Sequence, residues 1–260
     1  MQTYEQLTKY YSEDVIRHNP KKVLVEYLQY EILDSIFKQK GSSSLSFIGG
    51  TAIRVVYGSD RFSEDLDFDN FGLSFPEFEE LTNLVIKDMK LKGFEVEFRF
   101  VEKGAYHCYI KFPKLLQEYH LDQSPTEKIL VRIDTMEKEP IVEPKIETIN
   151  KFSIFRDILV NPKEIILSQK LITILDRRRE KGRDFYDVSF LLGITQPDFT
   201  YIKKSLNLDK DEFIKKVFKR CQLLNFNQLA QDVEPFLVDP TQSARVKNFQ
   251  NFIKNTFSKL

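Results

Sequence analysis

The stretch LSFIGGTAIRVVYGSDRFSEDLDFD, residues 45–69, restricts what this chain can fold into more than any other part of it. Leu45, Phe47 and Ile48 form an apolar run that stops at Gly49-Gly50. Thr51 to Tyr57 reads as a short helix, Gly58, Ser59 and Asp60 as a polar turn, and Asp65-Leu66-Asp67-Phe68 as an alternating strand. A strand broken by a glycine pair before a helix presents bare N–H groups, an arrangement that favours an anion. Glycine also lets the backbone approach a phosphate closely. Asp65 and Asp67, at i and i+2, project from one face of the strand while Leu66 and Phe68 enter the core. Neighbouring carboxylates repel unless a cation lies between them, and hard oxygen ligands suit Mg²⁺. A phosphate cradle opposite a carboxylate metal site is what transfer of a nucleotide from a triphosphate requires.

The remaining pattern changes character along the chain. Lys21 to Lys40 carries apolar residues at helical spacing and is stopped by Gly41-Ser42-Ser43-Ser44. A second helix is expected from Pro76 to Gly93. FEVEFRFV (94–101), YHCYIKF (106–112) and ILVRIDTM (129–136) read as strands, the first two as a hairpin. In the last, Leu130, Arg132 and Asp134 share a face, so Asp134 can stand beside Asp65 and Asp67 if the strands are neighbours. Residues 115–128 read as a surface loop. Residues 137–161, with Pro140 and Pro144, read as the linker, apart from a possible short strand at Phe152–Phe155. Beyond Pro162 every segment has helical periodicity: 164–179, 184–192, 199–206, 210–224, 226–237 and 244–257. The expectation is a sheet domain with N-terminal helices over 1–150 and a helical domain over 151–260.

Composition narrows the class. Hydrophobic residues make up 42%, with 23 Phe and 11 Tyr, enough to fill a core. No stretch approaches the roughly 18 apolar residues of a membrane span, and the N-terminus lacks a basic-then-apolar signal pattern. Two distant cysteines, Cys108 and Cys221, fit a reducing, cytoplasmic setting and exclude a disulfide framework. The net charge of zero is unevenly spread. Residues 1–150 hold 19 basic and 26 acidic side chains, residues 151–260 hold 20 and 13, so a −7 half precedes a +7 half suited to a polyanion. Lys170 falls on the apolar stripe of its helix, where a lysine is costly unless it meets an anion. Asp184 and Asp187, three residues apart on one helix face, can orient Lys170 or a basic neighbour, or stabilise the helix N-terminus. Arg54 and Arg61 are expected either at phosphate or paired with Glu64 or Asp60. The three histidines, His18, His107 and His120, have no ligand spacing and read as structural or surface residues.

GGTAIRVVYGSDRFSEDLDF resembles the signature of the AbiEii/AbiGii-type toxin nucleotidyltransferases, relatives of the MenT toxins within the polymerase-β-like superfamily. The resemblance rests on Gly49-Gly50, the Asp65-x-Asp67 pair and, in the spacer, Tyr57-Gly58, Arg61, Ser63 and Glu64. It extends over about residues 21–195. Leu167-Ser168-Gln169-Lys170 resembles the family's Leu-x-x-Lys segment, with Thr173 where the family has Ala. Arg183-Asp184-Phe185-Tyr186-Asp187 resembles its closing Arg-Asp-x-x-Asp motif. The resemblance implies an α+β fold: a mixed polymerase-β-like sheet with flanking helices, then a helical unit. It implies a nucleotidyltransferase that uses an NTP and one or two Mg²⁺ ions. Asp65, Asp67 and Asp134 would be the metal ligands, and Asp134 would also take the acceptor's proton. Gly49, Gly50, Thr51, Ser63, Lys170 and Asp184 would bind the nucleotide, with Lys170 and Asp187 counted among the catalytic residues. The implied role is the toxin of a toxin–antitoxin or abortive-infection (phage-defence) module. Its acceptor would be the tRNA 3′ end or another RNA, and its partner a cognate antitoxin. Two alternatives stand beside this: modification of a protein side chain or small molecule, and a nucleotide-binding regulator without turnover.

Overall fold

In the computed structural model, residues 1–122, 124, 127–139 and 141–259 are described. Helices α1 (Tyr4–Thr8) and α2 (Glu13–His18) lead into α3 (Pro20–Phe37). Then come β1 (Leu45–Ile48), α4 (Gly49–Val55), β2 (Leu66–Asn70), α5 (Phe75–Leu91), β3 (Glu97–Glu102) and β4 (Tyr106–Phe112). Helix α6 (Leu115–Glu118) opens the segment expected as a surface loop, part of which (123, 125 and 126) lies outside the described residues. Strands β5 (Ile129–Glu137), β6 (Lys145–Lys151) and β7 (Ile154–Val160) follow. The rest is helical: α7 (Lys163–Asp176), α8 (Gly182–Leu191), α9 (Phe199–Leu206), α10 (Lys210–Gln222), α11 (Phe226–Val233), α12 (Ala244–Lys247) and α13 (Phe249–Phe257).

The chain forms two compact units. One comprises Met1–Val56, Phe62–Pro140 and Pro144–Val160. The other comprises Tyr57–Arg61, Ile141–Glu143 and Asn161–Leu260. The segment read as a linker is largely a hairpin. β6 and β7 pair antiparallel from Lys145↔Val160 to Lys151↔Ile154, and a boundary at residue 150 would cut through that hairpin. Its turn is tight because Phe152 and Ser153 both take positive φ, and Phe152 is buried against Tyr27 and Tyr30. A buried aromatic anchor inside a Pro-bounded segment is what the prolines concealed.

In the first unit all the strands belong to one mixed sheet, ordered β3-β4-β5-β2-β1-β7-β6. β1 runs antiparallel to β2 and parallel to β7, and β2 runs parallel to β5. Leu45, Phe47, Leu66, Phe68, Val131 and Ile133 are buried, as the alternation requires. α3 lies against β5, β7 and α5 and is buried around most of its circumference, including Glu26, Glu31 and Asp34. Those acids are paired: Glu26 with Arg54 (2.9 Å) and Lys151 (2.6 Å), Asp34 with Lys38, Lys92 and Arg156 at 2.7–2.9 Å. α5 starts at a Ser74/Glu77 capping box and stops before Gly93 at φ +94.

In the second unit Phe185, Phe226 and Phe249 meet with ring centroids 5.1–5.7 Å apart, joining α8, α11 and α13. Gly182 permits the closest approach. A Cβ there would overlap the backbone carbonyl of Leu229 on α11. The helix expected over 226–237 ends at Val233, and Glu234–Phe236 tightens into a 3₁₀ turn at Pro235. The one expected over 244–257 is interrupted at Asn248. Among the described residues no helix is long and apolar enough to cross a membrane.

Candidate active site

β1 ends where Gly49 turns left-handed, φ +78, and hands the chain to α4. Across the antiparallel β1–β2 pair, Ile48 stands opposite Asp67, which brings the Asp67 carboxylate beneath Gly49. A Cβ on residue 49 would collide with that carboxylate, so glycine is required here by both φ and space. Gly50 and Thr51 are buried within the first turn of α4. The Thr51 hydroxyl donates to the main-chain carbonyl of Asp65. That proton therefore fastens the α4 start to the aspartate segment. The Ser63 carbonyl accepts from Gln29 Nε2 at 2.9 Å, fixing the backbone two residues before Asp65.

Asp134 arrives from β5. The parallel β2–β5 register sets Asp67 opposite Asp134, two carboxylates on neighbouring strands and one face. Directly opposed like charges are destabilising, and two further groups contact Asp134: Arg132, given no role in the sequence, and His107, read there as structural or surface. Arg132 donates from Nη2 to Asp65 Oδ2 at 2.9 Å and places Nε 2.8 Å from Asp134 Oδ2, bridging the two acids. His107, the register partner of Asp134 on β4, puts Nδ1 2.7 Å from Asp134 Oδ1. Burial works against the charge on Arg132, but Asp65 and Asp134 outweigh it and hold the guanidinium ionised. His107 is thus a direct partner of the third carboxylate. The strand pattern alone leaves its register open by one residue, and a one-residue slip would turn it to the other face.

Carboxylate oxygens at Asp65, Asp67 and Asp134 are chemically right for Mg²⁺. Even so, among the described residues no three His, Cys, Asp or Glu side chains gather as a metal cluster. Arg132 stands between two of them, its guanidinium 2.9 Å from Asp65 and 2.8 Å from Asp134.

The other motif residues lie in the second unit. Asp187, fully buried on α8, accepts from Arg61 Nε (2.8 Å) and Nη2 (2.9 Å) and lies 2.9 Å from Lys170 Nζ. Asp184 lies 3.3 Å from Lys170 Nζ and 2.9 Å from Arg177 Nη1. Burial pushes the Asp187 carboxyl up, but Arg61 and Lys170 override it and hold the group below the ordinary carboxylate range. Burial likewise disfavours the Lys170 ammonium, and Asp187 with Asp184 keep it charged. A lysine on an apolar stripe is tolerated because its charge is matched locally. Arg61, expected at phosphate or beside Glu64 or Asp60, is 1% exposed and forked onto Asp187. Arg54 pairs with Glu26 at 2.9 Å.

A mixed sheet that presents paired aspartates beside a left-handed glycine, followed by helices, is the α+β architecture of a nucleotidyltransferase. The fold is shared with two solved structures. MenT4, a nucleotidyltransferase toxin from Mycobacterium tuberculosis, is 14% identical with a TM-score of 0.59, covering 98% of this chain and 90% of its own. JHP933 from Helicobacter pylori is 16% identical with a TM-score of 0.56, covering 95% of each chain. A comparison with curated proteins found no match. Residues 31–258 match the sequence family described as the nucleotidyl transferase AbiEii toxin of a type IV toxin–antitoxin system. The chain belongs to that family. It is a nucleotidyltransferase toxin, with a nucleotide substrate and an antitoxin partner implied.

Proposed function

We propose that the protein transfers a nucleoside monophosphate from an NTP to the 3′ hydroxyl of an RNA, with tRNA as the acceptor, in a Mg²⁺-dependent reaction. The acceptor oxygen bonds to the α-phosphorus, the bond from that phosphorus to the bridging oxygen breaks, and pyrophosphate leaves with the electron pair. Asp134 takes the acceptor's proton. Asp65, Asp67 and Asp134 would hold one or two Mg²⁺ ions, which neutralise the triphosphate when bound. Gly49 and Gly50 let the backbone come close to phosphate. Lys170, oriented by Asp184 and Asp187, is the candidate phosphate-binding cation. The observation that carries this reading is the Asp67–Asp134 register beside Gly49. Two adjacent acids beside a glycine turn suit the activation of a hydroxyl and of a phosphate.

The test is incubation with labelled NTPs and total RNA or cell lysate, for wild type and Asp67→Ala. Label in tRNA that disappears in Asp67→Ala is the expected result. Label in protein would move the acceptor to a side chain. The bridging of Asp65 and Asp134 by Arg132 favours one further reading, a nucleotide-binding regulator without turnover. Nucleotide binding by the wild type with no more pyrophosphate release than Asp67→Ala would favour it over transfer.

A further inference from the structure

The face of the sheet that bears Asp134 continues across β4 to the edge strand β3. On its opposite face Cys108, Ile110, Val131 and Ile133 are buried. On this face the cross-strand register aligns Arg99, Tyr109 and Arg132 in one row, and His107, Asp134 and Asp67 in the next. The Arg99 guanidinium lies over the Tyr109 ring at 4.4 Å, and Arg132 approaches the same ring at 5.9 Å. Arg99 is exposed, and among the described residues it forms no ion pair with a carboxylate. Lys111, exposed two residues further along β4 and opposite Glu97, adds a cation to the same face.

An arginine at a sheet edge usually reaches into water or pairs with an acid. Here the planar guanidinium has its carbon 4.4 Å from the centre of an aromatic ring, and the residue stays exposed. Such a plane has two uses at once: a π surface for a base, and forked N–H donors for a phosphate. Asp134 lies two residues, about 7 Å, along β5 from Arg132. A strand end lying across this row would therefore bring its last sugar to the carboxylate.

We propose that Arg99, Tyr109 and Arg132 form a stacking platform for the unpaired 3′ end of an RNA acceptor. One base lies on the Arg99 guanidinium, and the flanking phosphate meets Arg99 and Lys111. The inference rests on the RNA-acceptor reading above and adds the surface that seats the acceptor. A duplex, whose bases are already stacked, gains nothing from the platform. A protein substrate would not need a cation stacked on tyrosine beside an acidic site.

The test is fluorescence anisotropy with a labelled single-stranded RNA of about eight nucleotides, in EDTA and without NTP, so that binding is read apart from transfer. Wild type is expected to bind it and to discriminate against the same sequence as a duplex. Arg99→Ala should weaken binding about tenfold and reduce the slope of log K against log salt by about 0.7, one phosphate contact on a single strand. Tyr109→Ala should lose about 5-fold or more, and Tyr109→Phe, which keeps the ring, should bind as wild type does. Lys145→Ala, on the opposite edge strand β6, should change nothing. If Tyr109→Ala proves unfolded by thermal melt, the exposed Arg99 decides the matter alone. Wild type that ignores single-stranded RNA, or Arg99→Ala that binds it undiminished, overturns the platform. Transfer of label to RNA with an unchanged KM in Arg99→Ala would overturn the platform and leave the proposed function standing. Arg99-dependent RNA binding with no transfer would do the reverse.

Discussion

At the scale of residues, the arrangement around Asp134 turns on Arg132. One guanidinium hydrogen-bonds Asp65 and holds its charge 2.8 Å from Asp134, so Arg132→Gln should remove the shared counter-charge and leave Asp134 with His107. The expected cost without metal is about 1–2 kcal/mol, because the group is about a third exposed and solvent screens it. That is a fall of several degrees in Tm in EDTA. Mn²⁺ titrated by calorimetry should in turn bind more tightly to the variant. A variant that melts unchanged and binds Mn²⁺ no better would remove Arg132 from this role. Around Asp187 the asymmetry of buried pairs gives a second expectation. Asp187→Asn takes a buried counter-charge from Arg61 and from Lys170, which keeps Asp184, and should cost about 3–5 kcal/mol, more than Lys170→Met, which leaves Asp187 with Arg61. The sign in pH follows from the lowered Asp187 pKa. Its stabilisation is present above the unfolded carboxyl value of about 3.9 and fades as pH falls through the lower folded value. Denaturant midpoints between pH 7 and pH 3 should therefore drop less for Asp187→Asn than for wild type.

At the scale of elements, two glycines set how closely parts approach. Gly49→Ala meets the Asp67 carboxylate at a positive φ, so the β1–α4 turn must shift. The expected cost is about 1–3 kcal/mol of strain, with transfer activity lost along with it. Gly182→Ala drives a methyl into the Leu229 carbonyl and should separate α8 from α11, lowering stability by about 1–3 kcal/mol. Melting curves of the two variants check both. Much at this scale was legible in advance. The apolar run, the glycine pair, the hairpin and most helices after Pro162 appear near where periodicity put them, although β3 begins at Glu97 in place of Phe94 and β2 at Leu66, just after Asp65. The β6–β7 hairpin was not legible, because Pro140, Pro144 and Pro162 read as a linker and the Phe152 anchor is a long-range contact. The breaks at Pro235 and Asn248 escaped because apolar periodicity continues through both.

At the scale of the whole molecule, charge is managed locally more than the −7/+7 division suggests. Asp34 gathers Lys38, Lys92 and Arg156 from three elements of the first unit. Burial raises its pKa, but these three cations bring it down to about 2. Its contribution is complete above the unfolded value of about 3.9 and is lost as pH falls toward 2. Asp34→Ala should thus cost about 2 kcal/mol at pH 7, discounted for the partly exposed cations, and nothing near pH 2. The two thiols give the last check. Burial pushes Cys108 and Cys221 up to about 12, so neither should react with a thiol reagent in the native state at pH 8, and both should after denaturation.

Local order along the chain was enough to settle the class of fold and the chemistry its acids imply. A glycine pair before a helix and an aspartate at every second strand position have few structural solutions, and both constraints act over a few residues. Which groups face those acids was decided only when the chain closed. Register set Asp67 beside Asp134 and brought His107 to it, and contacts spanning more than a hundred residues put Arg61 on Asp187. Such pairings depend on strand order and helix packing, which no short window of sequence encodes.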